Sequence, residues 1–310
     1  MKVIRAANEL GNGSRKVCLA IGVFDGVHLG HQQVIRQTVA DAEQQEALAV
    51  VITFDRHPNT VVAPDRAPPL IYSLPQKMRA IAALGVDTAL VIPFDKPFIE
   101  LTGEEFIIGL ARDFGKIHSL CVGSDFTFGH RRGGNVALLK TLGEKLNLTV
   151  HGLGAVSLDG EPVSSTRIRE AVRAGALDRA GEMLGREYAL AGTIARGDQL
   201  GRQLGFPTAN LEVTGRLTPP GGVYAVHAYT GGQGHRAVLN IGHRPTLQTP
   251  TPVLRVEAHL LDFSGDLYDQ EMEITFVEKL REERKFPSLE ALRQQIARDI
   301  AAARQRFDAA

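Results

Sequence analysis

Two histidines three residues apart, His28 and His31, end a glycine-rich segment that begins at Gly22 and follows a short apolar run. Glycines let the backbone approach a ligand closely, and N–H groups at the start of a helix favour an anion such as phosphate. Imidazoles beside that anion can bind phosphate oxygens and stabilise the charge that develops in nucleotidyl transfer. The spacing therefore predicts a nucleotide site with both histidines as catalytic residues, and a plain glycine-rich turn with two solvent histidines is the alternative for so short a motif. The residues expected around the phosphates are Gly22, Phe24, Asp25 and Gly30.

The segment Val163–Arg169 is predicted to contribute to the same site. It starts a helix whose first residues, including Ser164 and Thr166, can cap the helix and hold a phosphate. Arg167 or Arg169 can then neutralise a leaving pyrophosphate. An ordinary capped helix with exposed arginines is the alternative interpretation of this segment taken alone.

The segment Gly123–Gly129 ends another predicted strand, at the edge where open α/β sheets bind ligands. Asp125 can bind a hydroxyl group or position a metal-bound nucleotide. Phe126 and Phe128 can pack on a flat ring, although aromatic side chains more often belong to a core. These residues make the segment a candidate ring-binding site.

A second group of candidate residues lies in Gly197–Asn210, which is dense in glycine, polar and turn-forming residues. Thr208 and Asn210 alternate in an extended segment and therefore face one side of it. Their oxygens are hard donors suited to Mg²⁺ shared with nucleotide phosphates. The alternative is a loop in which both side chains make local hydrogen bonds.

Glu257 interrupts the otherwise apolar strand Val253–Ala258. A carboxylate near a barrel interior needs a partner or a chemical role, and this one can accept a proton from an alcohol that attacks a γ-phosphate. A solvent-facing glutamate is the alternative.

Neither a GxxxxGK[ST] loop nor a GxGxxG fingerprint is present in the sequence, which disfavours P-loop kinases and nicotinamide dehydrogenases.

The elements that must position these residues alternate between strand and helix in the first half of the chain. Helical spacing follows the first strand, Ser73 can cap a second helix, and Thr102 begins a capping box. This βαβα order predicts a parallel sheet with helices on both faces. The expected strands are Val17–Val23, Leu48–Phe54, Ala89–Ile92 and Ile117–Val122.

Beyond residue 185 the pattern changes to short strands separated by Gly and Pro clusters, which predicts a small β-barrel. We place the boundary near residue 185, which gives domains 1–185 and 186–310. The expected strands are Ala191–Ile194, Val223–Tyr229, Ala237–Ile241, Leu254–Leu261 and Glu271–Val277. A terminal helix is predicted after Ser288, with an apolar face formed by Leu289, Leu292, Ile296 and Ile300.

The composition narrows the classes of function. Among 310 residues, 35 are Lys or Arg and 35 are Asp or Glu, so the zero net charge gives no global attraction to nucleic acid or an anionic membrane. No apolar stretch approaches the ~20 residues that span a bilayer. Cys18 and Cys121 stand in apolar runs without CxxC spacing, which predicts buried thiols rather than a disulfide or a zinc site. We therefore expect a cytoplasmic protein that binds neither nucleic acid nor membrane.

Taken in order along nearly the whole chain, these motifs resemble those of the bacterial bifunctional riboflavin kinase/FAD synthetase family. The segments that carry the resemblance are GVFDGVHLGHQ (22–32), TFDRHP (53–58), VGSDFTFG (122–129), VSSTRIRE (163–170), LGRQLGFPTANL (200–211), GGVYAV (221–226), NIGHRPT (240–246), VEAHLLDF (256–263) and LREERKF (280–286). The resemblance implies an α/β Rossmann-like nucleotidyltransferase domain followed by a small six-stranded antiparallel β-barrel domain with a C-terminal helix. It also implies two reactions, phosphorylation of riboflavin to FMN and adenylylation of FMN to FAD with release of pyrophosphate.

The resemblance extends to single residues. His28 and His31 match the family's phosphate-contacting histidines, and Ser164, Thr166 and Arg169 fall in its second nucleotide motif. In the second half, the matched residues are Thr208 and Asn210 for metal and ATP, Glu257 for the general base, and Gly201, Arg202, Gly205 and Pro207 for ATP. The expected flavin-binding residues are Asp125, Phe126 and Phe128. Riboflavin, FMN, FAD and ATP are the implied ligands, Mg²⁺ is the implied cofactor, and a monomer or weak homo-oligomer is the implied state.

Two positions depart from the family pattern, and three other interpretations compete with it. Arg56 stands where a proline is usual, and Asp269 stands where a glycine is frequent. A different HxGH nucleotidyltransferase, acting on nicotinamide or pantetheine phosphate, leaves residues 188–310 without a role. A class I aminoacyl-tRNA synthetase is disfavoured by the zero net charge and by the lack of an anticodon-sized domain. A non-catalytic flavin-binding protein is disfavoured by the intact set of candidate catalytic residues.

Overall fold

The computed structural model describes residues 1–10, 16–197, 201, 204–244 and 253–309. By their internal contacts, the residues form two compact units. The first unit comprises Met1–Leu70, Leu74–Thr166 and Met183–Gly185, and the second comprises Ile71–Ser73, Arg167–Glu182 and Arg186–Ala310. None of the helices in the described ranges is both long and apolar enough to span a bilayer.

A six-stranded sheet organises the first unit. Its strands are β1 Lys2–Ile4, β2 Val17–Ile21, β3 Leu48–Phe54, β4 Thr88–Ile92, β5 Ile117–Gly123 and β6 Thr149–Leu153. Neighbouring strands all run parallel, in the order β1-β4-β3-β2-β5-β6. This confirms the predicted parallel sheet. The sequence does not predict the two edge strands, because β1 has only three residues and β6 carries polar residues and a glycine.

Helices pack on both faces of this sheet, because its central strands are apolar on both sides. The helices of the chain up to residue 184 are α1 Leu29–Gln44, α2 Asn59–Val62, α3 Leu74–Ala82, α4 Lys96–Glu100, α5 Gly103–Phe114, α6 Val136–Leu146, α7 Ser165–Arg173 and α8 Leu177–Leu184. Leu19 of β2 belongs to one core cluster with Leu139 of α6. Its neighbour Ala20 belongs to a second cluster with Val34 of α1 and Ile81 of α3. The alternation of side chains along β2 thus divides the core between the two faces.

Two local predictions from the sequence are confirmed in the first unit. Thr102 forms the predicted capping box, in which its hydroxyl accepts from the Glu105 N–H at 3.2 Å and the Glu105 carboxylate accepts from the Thr102 N–H at 2.8 Å. Cys18 and Cys121 are buried free thiols. Burial raises the pKa of the Cys121 thiol to about 12, so it stays protonated at neutral pH.

A closed antiparallel barrel organises the second unit. Its six strands are β9 Ala189–Ala195, β10 Ala209–Glu212, β11 Gly222–Thr230, β12 Gln233–Arg244, β13 Val253–Leu260 and β14 Glu271–Arg281. They close in the order β10-β13-β12-β11-β14-β9. The two-residue strands β7 Ser157–Leu158 and β8 Glu161–Pro162 form a separate antiparallel pair. The barrel confirms the expected six-stranded architecture, and it closes because β10 pairs with β9.

One helix, α9 Leu289–Ala309, follows the barrel. Its partly or fully buried apolar stripe consists of Leu292, Ile296, Ile300, Ala303 and Phe307. Ala303 and Phe307 join a core cluster with Val223 and Val238 of the barrel wall. Leu289 is 60% exposed, so the predicted apolar face is wrong at that residue. It is the first residue of the helix, and the stripe begins one turn later.

Candidate active sites

The two-histidine turn lies at the carboxyl edge of the parallel sheet, between the end of β2 and the start of α1. From β2 the chain proceeds to β3 and β4 on one side, and it then crosses to β5 and β6 on the other side of β2, so the strand order reverses at β2. Open α/β sheets bind ligands at such a switch point, outside the carboxyl ends of the strands. His28 is the residue before α1 and has extended backbone angles, so its ring lies at the helix start, where the helix dipole favours an anion.

The rings of His28 and His31 lie together, as their spacing predicts. They stack with centroids 3.5 Å apart and an interplanar angle of 21°. The His28 Nδ1 atom accepts a hydrogen bond from the His31 backbone N–H at 3.4 Å. Gly30 allows this packing, since a Cβ atom there would lie 3.3 Å from the His28 ring. The two imidazoles therefore present one compact, nitrogen-bearing surface at the start of α1.

The turn that leads to His28 is conformationally strained. Phe24 has φ 51°, Gly26 has φ 79° and Val27 has φ 42°, and a non-glycine residue in this region costs on the order of 1–3 kcal/mol. The Phe24 side chain is only 2% exposed and packs edge-on against the His31 ring at 5.3 Å between centroids. Phe24 therefore supports the histidine from the core, and only its backbone remains for the nucleotide contact predicted from the sequence. A Cβ atom at Gly22 would lie 2.9 Å from the Phe24 ring, so this position requires glycine.

Two side-chain hydrogen bonds hold the strained turn. Gln32 is buried, and its Nε2 atom donates to the Val27 carbonyl at 3.0 Å and to the Leu184 carbonyl at 2.7 Å. The Ser165 hydroxyl, at the first residue of α7, donates to the carbonyl of the buried Asp25 at 3.1 Å. Sequence reasoning assigns no role to Gln32 or Ser165, although both lie inside quoted motifs. Their bonds to backbone carbonyls leave no spacing signal in the chain.

The second predicted nucleotide segment lies at the start of α7. Ser164 is partly buried and Thr166 is exposed. The Ser165 bond to the Asp25 carbonyl joins this helix start to the two-histidine turn within the first unit. Arg169 is 6% exposed and belongs by its contacts to the second unit. The structure therefore brings the start of α7 into the group around the histidines in the first unit.

An aromatic cavity of about 470 Å³ lies in the first unit. Its aromatic walls are Phe54, Phe94, Phe98, Phe106, Phe126 and Phe128. Phe126 and Phe128 stack with centroids 5.3 Å apart and rings inclined by 12°. Val23, at the start of the strained turn, also lines the cavity, whereas Asp125 is exposed and does not line it. Such walls suit a flat aromatic ligand, and the contribution of Val23 places the strained turn beside the cavity.

A polar cluster lies inside the barrel unit. Asn210 of β10 is paired in register with Glu257 of β13, and Glu257 is paired with Asn240 of β12. These three side chains and Thr208 line one cavity of about 400 Å³. Arg255 lies 4.0 Å from the Glu257 carboxylate, and each of the two side chains is about one third exposed. Sequence reasoning finds three of the four cluster residues and misses Asn240, because only the strand register reveals it.

Close backbone approach shapes this cluster. A Cβ atom at Gly197 would collide with the Asn210 amide, and one at Gly201 would lie 3.1 Å from the Thr208 hydroxyl. The His259 ring contacts the Pro207 carbonyl at 2.8 Å, which fixes the segment before β10. Gly205 has φ 89°, a region that favours glycine, and Arg202 lies outside the described residues.

The chemistry of this donor set fits a hard divalent cation. Hydroxyl, amide and carboxylate oxygens from Thr208, Asn210 and Glu257 line one cavity, and Mg²⁺ prefers oxygen ligands together with substrate phosphates. The cavity is also walled by apolar residues such as Val223, Val238 and Ile300, which suits a ligand with a flat apolar part.

Both halves of the chain match family models. Residues 12–167 match FAD synthetase, and residues 184–307 match riboflavin kinase. The chain belongs to the bifunctional riboflavin kinase/FMN adenylyltransferase family. A Pseudomonas fluorescens member is 38% identical over 304 residues, which are 98% of this chain and 97% of the relative. An Escherichia coli K12 member is 36% identical over 99% of this chain and 98% of the relative.

The likeness extends to a solved structure. A crystal structure described as a macrolide-efflux protein from Streptococcus pneumoniae has a TM-score of 0.81 and 28% identity, and the match covers 98% of this chain and 99% of the other.

As a bifunctional riboflavin kinase/FMN adenylyltransferase, the present chain phosphorylates riboflavin and adenylylates FMN. The match of residues 184–307 to riboflavin kinase excludes the rival nucleotidyltransferase interpretations.

The two departures from the family pattern have local structural correlates. Arg56 forms an ion pair with the neighbouring Asp55 at 2.8 Å. Asp269 has φ 64°, the left-handed region that favours glycine. The bifunctional enzyme thus keeps a glycine-like turn before β14 with an aspartate in place of glycine, which aspartate tolerates better than most residues.

Proposed function

We propose that residues 1–185 of this bifunctional riboflavin kinase/FMN adenylyltransferase carry the adenylylation of FMN and that residues 186–310 carry the phosphorylation of riboflavin. The observation that supports this division is the presence of two chemically different cavities, one in each unit. The aromatic cavity adjoins the two-histidine turn, and the barrel cavity gathers hydroxyl, amide and carboxylate groups. We also propose a cytoplasmic location, because both reactions consume ATP.

In the first unit, the isoalloxazine ring of FMN packs among the aromatic walls, with Phe126 and Phe128 as its principal contacts. A phosphate oxygen of FMN attacks the α-phosphorus of ATP in line, the bond to the β-phosphate oxygen breaks, and pyrophosphate leaves. His28 and His31 hydrogen-bond the phosphate oxygens on which charge develops. Ser164 and Thr166 hold phosphate at the start of α7, and Arg169 is assigned to the leaving pyrophosphate on the family motif.

In the barrel unit, Thr208 and Asn210 hold Mg²⁺ and the phosphates of ATP. A Mg²⁺ ion held there neutralises charge on the transferred phosphoryl group. Glu257 accepts the proton of the ribityl 5′-hydroxyl as its oxygen attacks the γ-phosphorus and ADP leaves. The cross-strand pairing of Asn210 with Glu257 supports these roles, since it sets the phosphate-binding side chain beside the base.

Two variants test the assignment. Glu257→Gln removes the base but keeps the shape, so riboflavin phosphorylation is expected to fall by about 10²–10⁴-fold, while FAD formation from supplied FMN stays near the wild-type rate. His31→Ala removes a phosphate contact, so FAD formation is expected to fall by about 10²–10³-fold, while FMN formation from riboflavin is kept. The measurement is chromatographic product analysis with each flavin supplied separately. Loss of both activities in either variant contradicts separate sites.

A further inference from the structure

A buried lysine that sequence reasoning does not single out joins two strand ends beside the adenylylation site. Lys77 of α3 is only 8% exposed. Its Nζ atom donates to the Phe54 carbonyl at 2.8 Å, to the Thr53 hydroxyl at 3.1 Å and to the Val23 carbonyl at 3.2 Å. An ammonium group has three donors, and each has an acceptor here.

These acceptors lie just beyond the last main-chain hydrogen bond between β2 and β3. The pairing of β2 with β3 ends at Ile21 and Ile52, followed by one bond from the Gly22 N–H to the Ile52 carbonyl. Beyond that point, the Thr53 hydroxyl and the Lys77 ammonium both donate to the Val23 carbonyl. The lysine therefore continues the connection between the two strands by side-chain hydrogen bonds.

Both ends held by the lysine carry parts of the site. Val23 begins the strained turn that leads to His28, and Phe54 is the last residue of β3. Val23 and Phe54 also line the aromatic cavity. A single ammonium group thus fixes the distance between the histidine turn and an aromatic wall.

The charge of this group depends on pH near neutrality. Burial lowers the pKa of Lys77 to about 8, against the opposing attraction of Asp25 after β2 and Asp55 after β3. Asp55 is itself paired with Arg56 at 2.8 Å and accepts from the Phe94 N–H at 2.9 Å. Deprotonation would remove one of three donors and the attraction to both carboxylates.

We propose that Lys77 is a positioning residue for FMN adenylylation, whose ammonium holds the two-histidine turn and the aromatic wall in the geometry the reaction needs. The inference rests on the proposed function of the first unit. Burying an ammonium group is unfavourable unless its partners compensate, and an apolar side chain would fill the same space without that penalty. The three hydrogen-bond acceptors of Lys77 lie on Val23, Thr53 and Phe54, at the strand ends that form the site. We therefore assign Lys77 a role in positioning.

The test compares the pH dependence of the two reactions in the same protein. In the wild type, the rate of FAD formation from FMN, relative to the rate of FMN formation from riboflavin, falls by up to about tenfold between pH 7 and pH 9. That ratio follows the protonated fraction of one group with a pKa of about 8. A ratio that stays constant between pH 7 and pH 9 overturns the proposal. This measurement needs no substitution and therefore does not depend on the folding of a variant.

Two variants make the test specific. Lys77→Arg keeps a charge that does not titrate in this range, so its ratio stays constant with pH. Lys77→Met lowers the kcat of FAD formation by about 10–10²-fold at every pH and raises the KM for FMN, while the kcat and KM for riboflavin phosphorylation stay within about twofold. Unchanged FAD formation in Lys77→Met, or the same alkaline fall in Lys77→Arg as in the wild type, overturns the proposal. Failure of the wild type to make FAD from FMN at any pH would instead overturn the proposed function itself, and the inference with it.

Discussion

Gly197 lies against the Asn210 side chain of the barrel site, where only a glycine fits without displacing that side chain. Its Cα stands so close to the Asn210 amide that a methyl group cannot be added without displacing that side chain. The sequence places Gly197 in a glycine-rich segment but cannot reveal its neighbour, because the contact depends on how the segment folds back on β10. The requirement for glycine here is steric.

Gly197→Ala is expected to impair only the kinase reaction. Displacement of Asn210 by about 1 Å can cost on the order of 10²-fold in rate, so riboflavin phosphorylation should fall by at least about tenfold while FAD formation from FMN is unchanged. Gly109→Ala in α5 is the matched control, since its added Cβ would meet no atom within 4 Å, and both rates should stay at the wild-type level. Normal riboflavin phosphorylation in Gly197→Ala would contradict the assigned role of Asn210.

For single residues, the sequence predicts best where contacts between near neighbours in the chain decide the arrangement. The three-residue spacing of His28 and His31 and the two-residue spacing of Thr208 and Asn210 correctly predict that each pair lies together. Lys77 leaves no such pattern, because its acceptors are backbone and side-chain oxygens more than 20 residues away in the chain. Residues whose role depends on distant backbone atoms need the fold.

Besides its apolar contacts with the barrel, α9 is held by a largely buried ion pair between Arg281 and Asp299. Arg281, near the end of β14, donates from Nε and Nη2 to the Asp299 carboxylate at 2.7–3.1 Å. The Asp299 side chain is 7% exposed and also accepts from Gln295 at 2.7 Å. Both members of the pair line the barrel cavity, so the helix and the site are coupled through it.

Asp299→Ala is expected to destabilise the barrel unit. Removing one partner of a buried ion pair leaves an uncompensated charge and costs about 3–5 kcal/mol in the free energy of unfolding, which urea unfolding followed by circular dichroism measures. Asp262→Ala is the matched control, because Asp262 also pairs with α9, through Arg304, but both side chains are largely exposed. A similar effect of the two substitutions would contradict the account of how α9 is held.

Among strands and helices, apolar runs and capping signals predict the central strands and the start of α5. Leu48–Phe54 is both the expected and the observed extent of β3, since a strand buried on both faces is apolar throughout. Strand β6 escapes prediction because an edge strand is covered by fewer neighbours and tolerates polar residues. The pairing of Asn240 with Glu257 escapes it as well, because strand register is set by the closure of the barrel.

For the whole molecule, the sequence predicts two domains in chain order, whereas contacts divide the chain in a more complex way. Residues 71–73 and 167–182 belong by their contacts to the second unit, although most of their neighbours in the sequence belong to the first. The two divisions differ because a boundary predicted from the sequence follows chain order, whereas the units are defined by which residues pack together. The function is predicted from the sequence more completely, because its motifs are local and appear in order.

We propose that Glu257 and His31 serve two separate sites, one for each reaction. The most direct test supplies riboflavin, ATP and Mg²⁺ to Glu257→Gln, to His31→Ala and to an equal mixture of the two, and follows the flavin products by chromatography. Over a time in which the second variant converts riboflavin to FMN, we expect little flavin product from the first variant, FMN with little FAD from the second, and FAD from the mixture, because each protein supplies the step that is slow in the other. A mixture that forms FMN but no FAD would contradict the account, since it would mean that Glu257 and His31 must act within one chain.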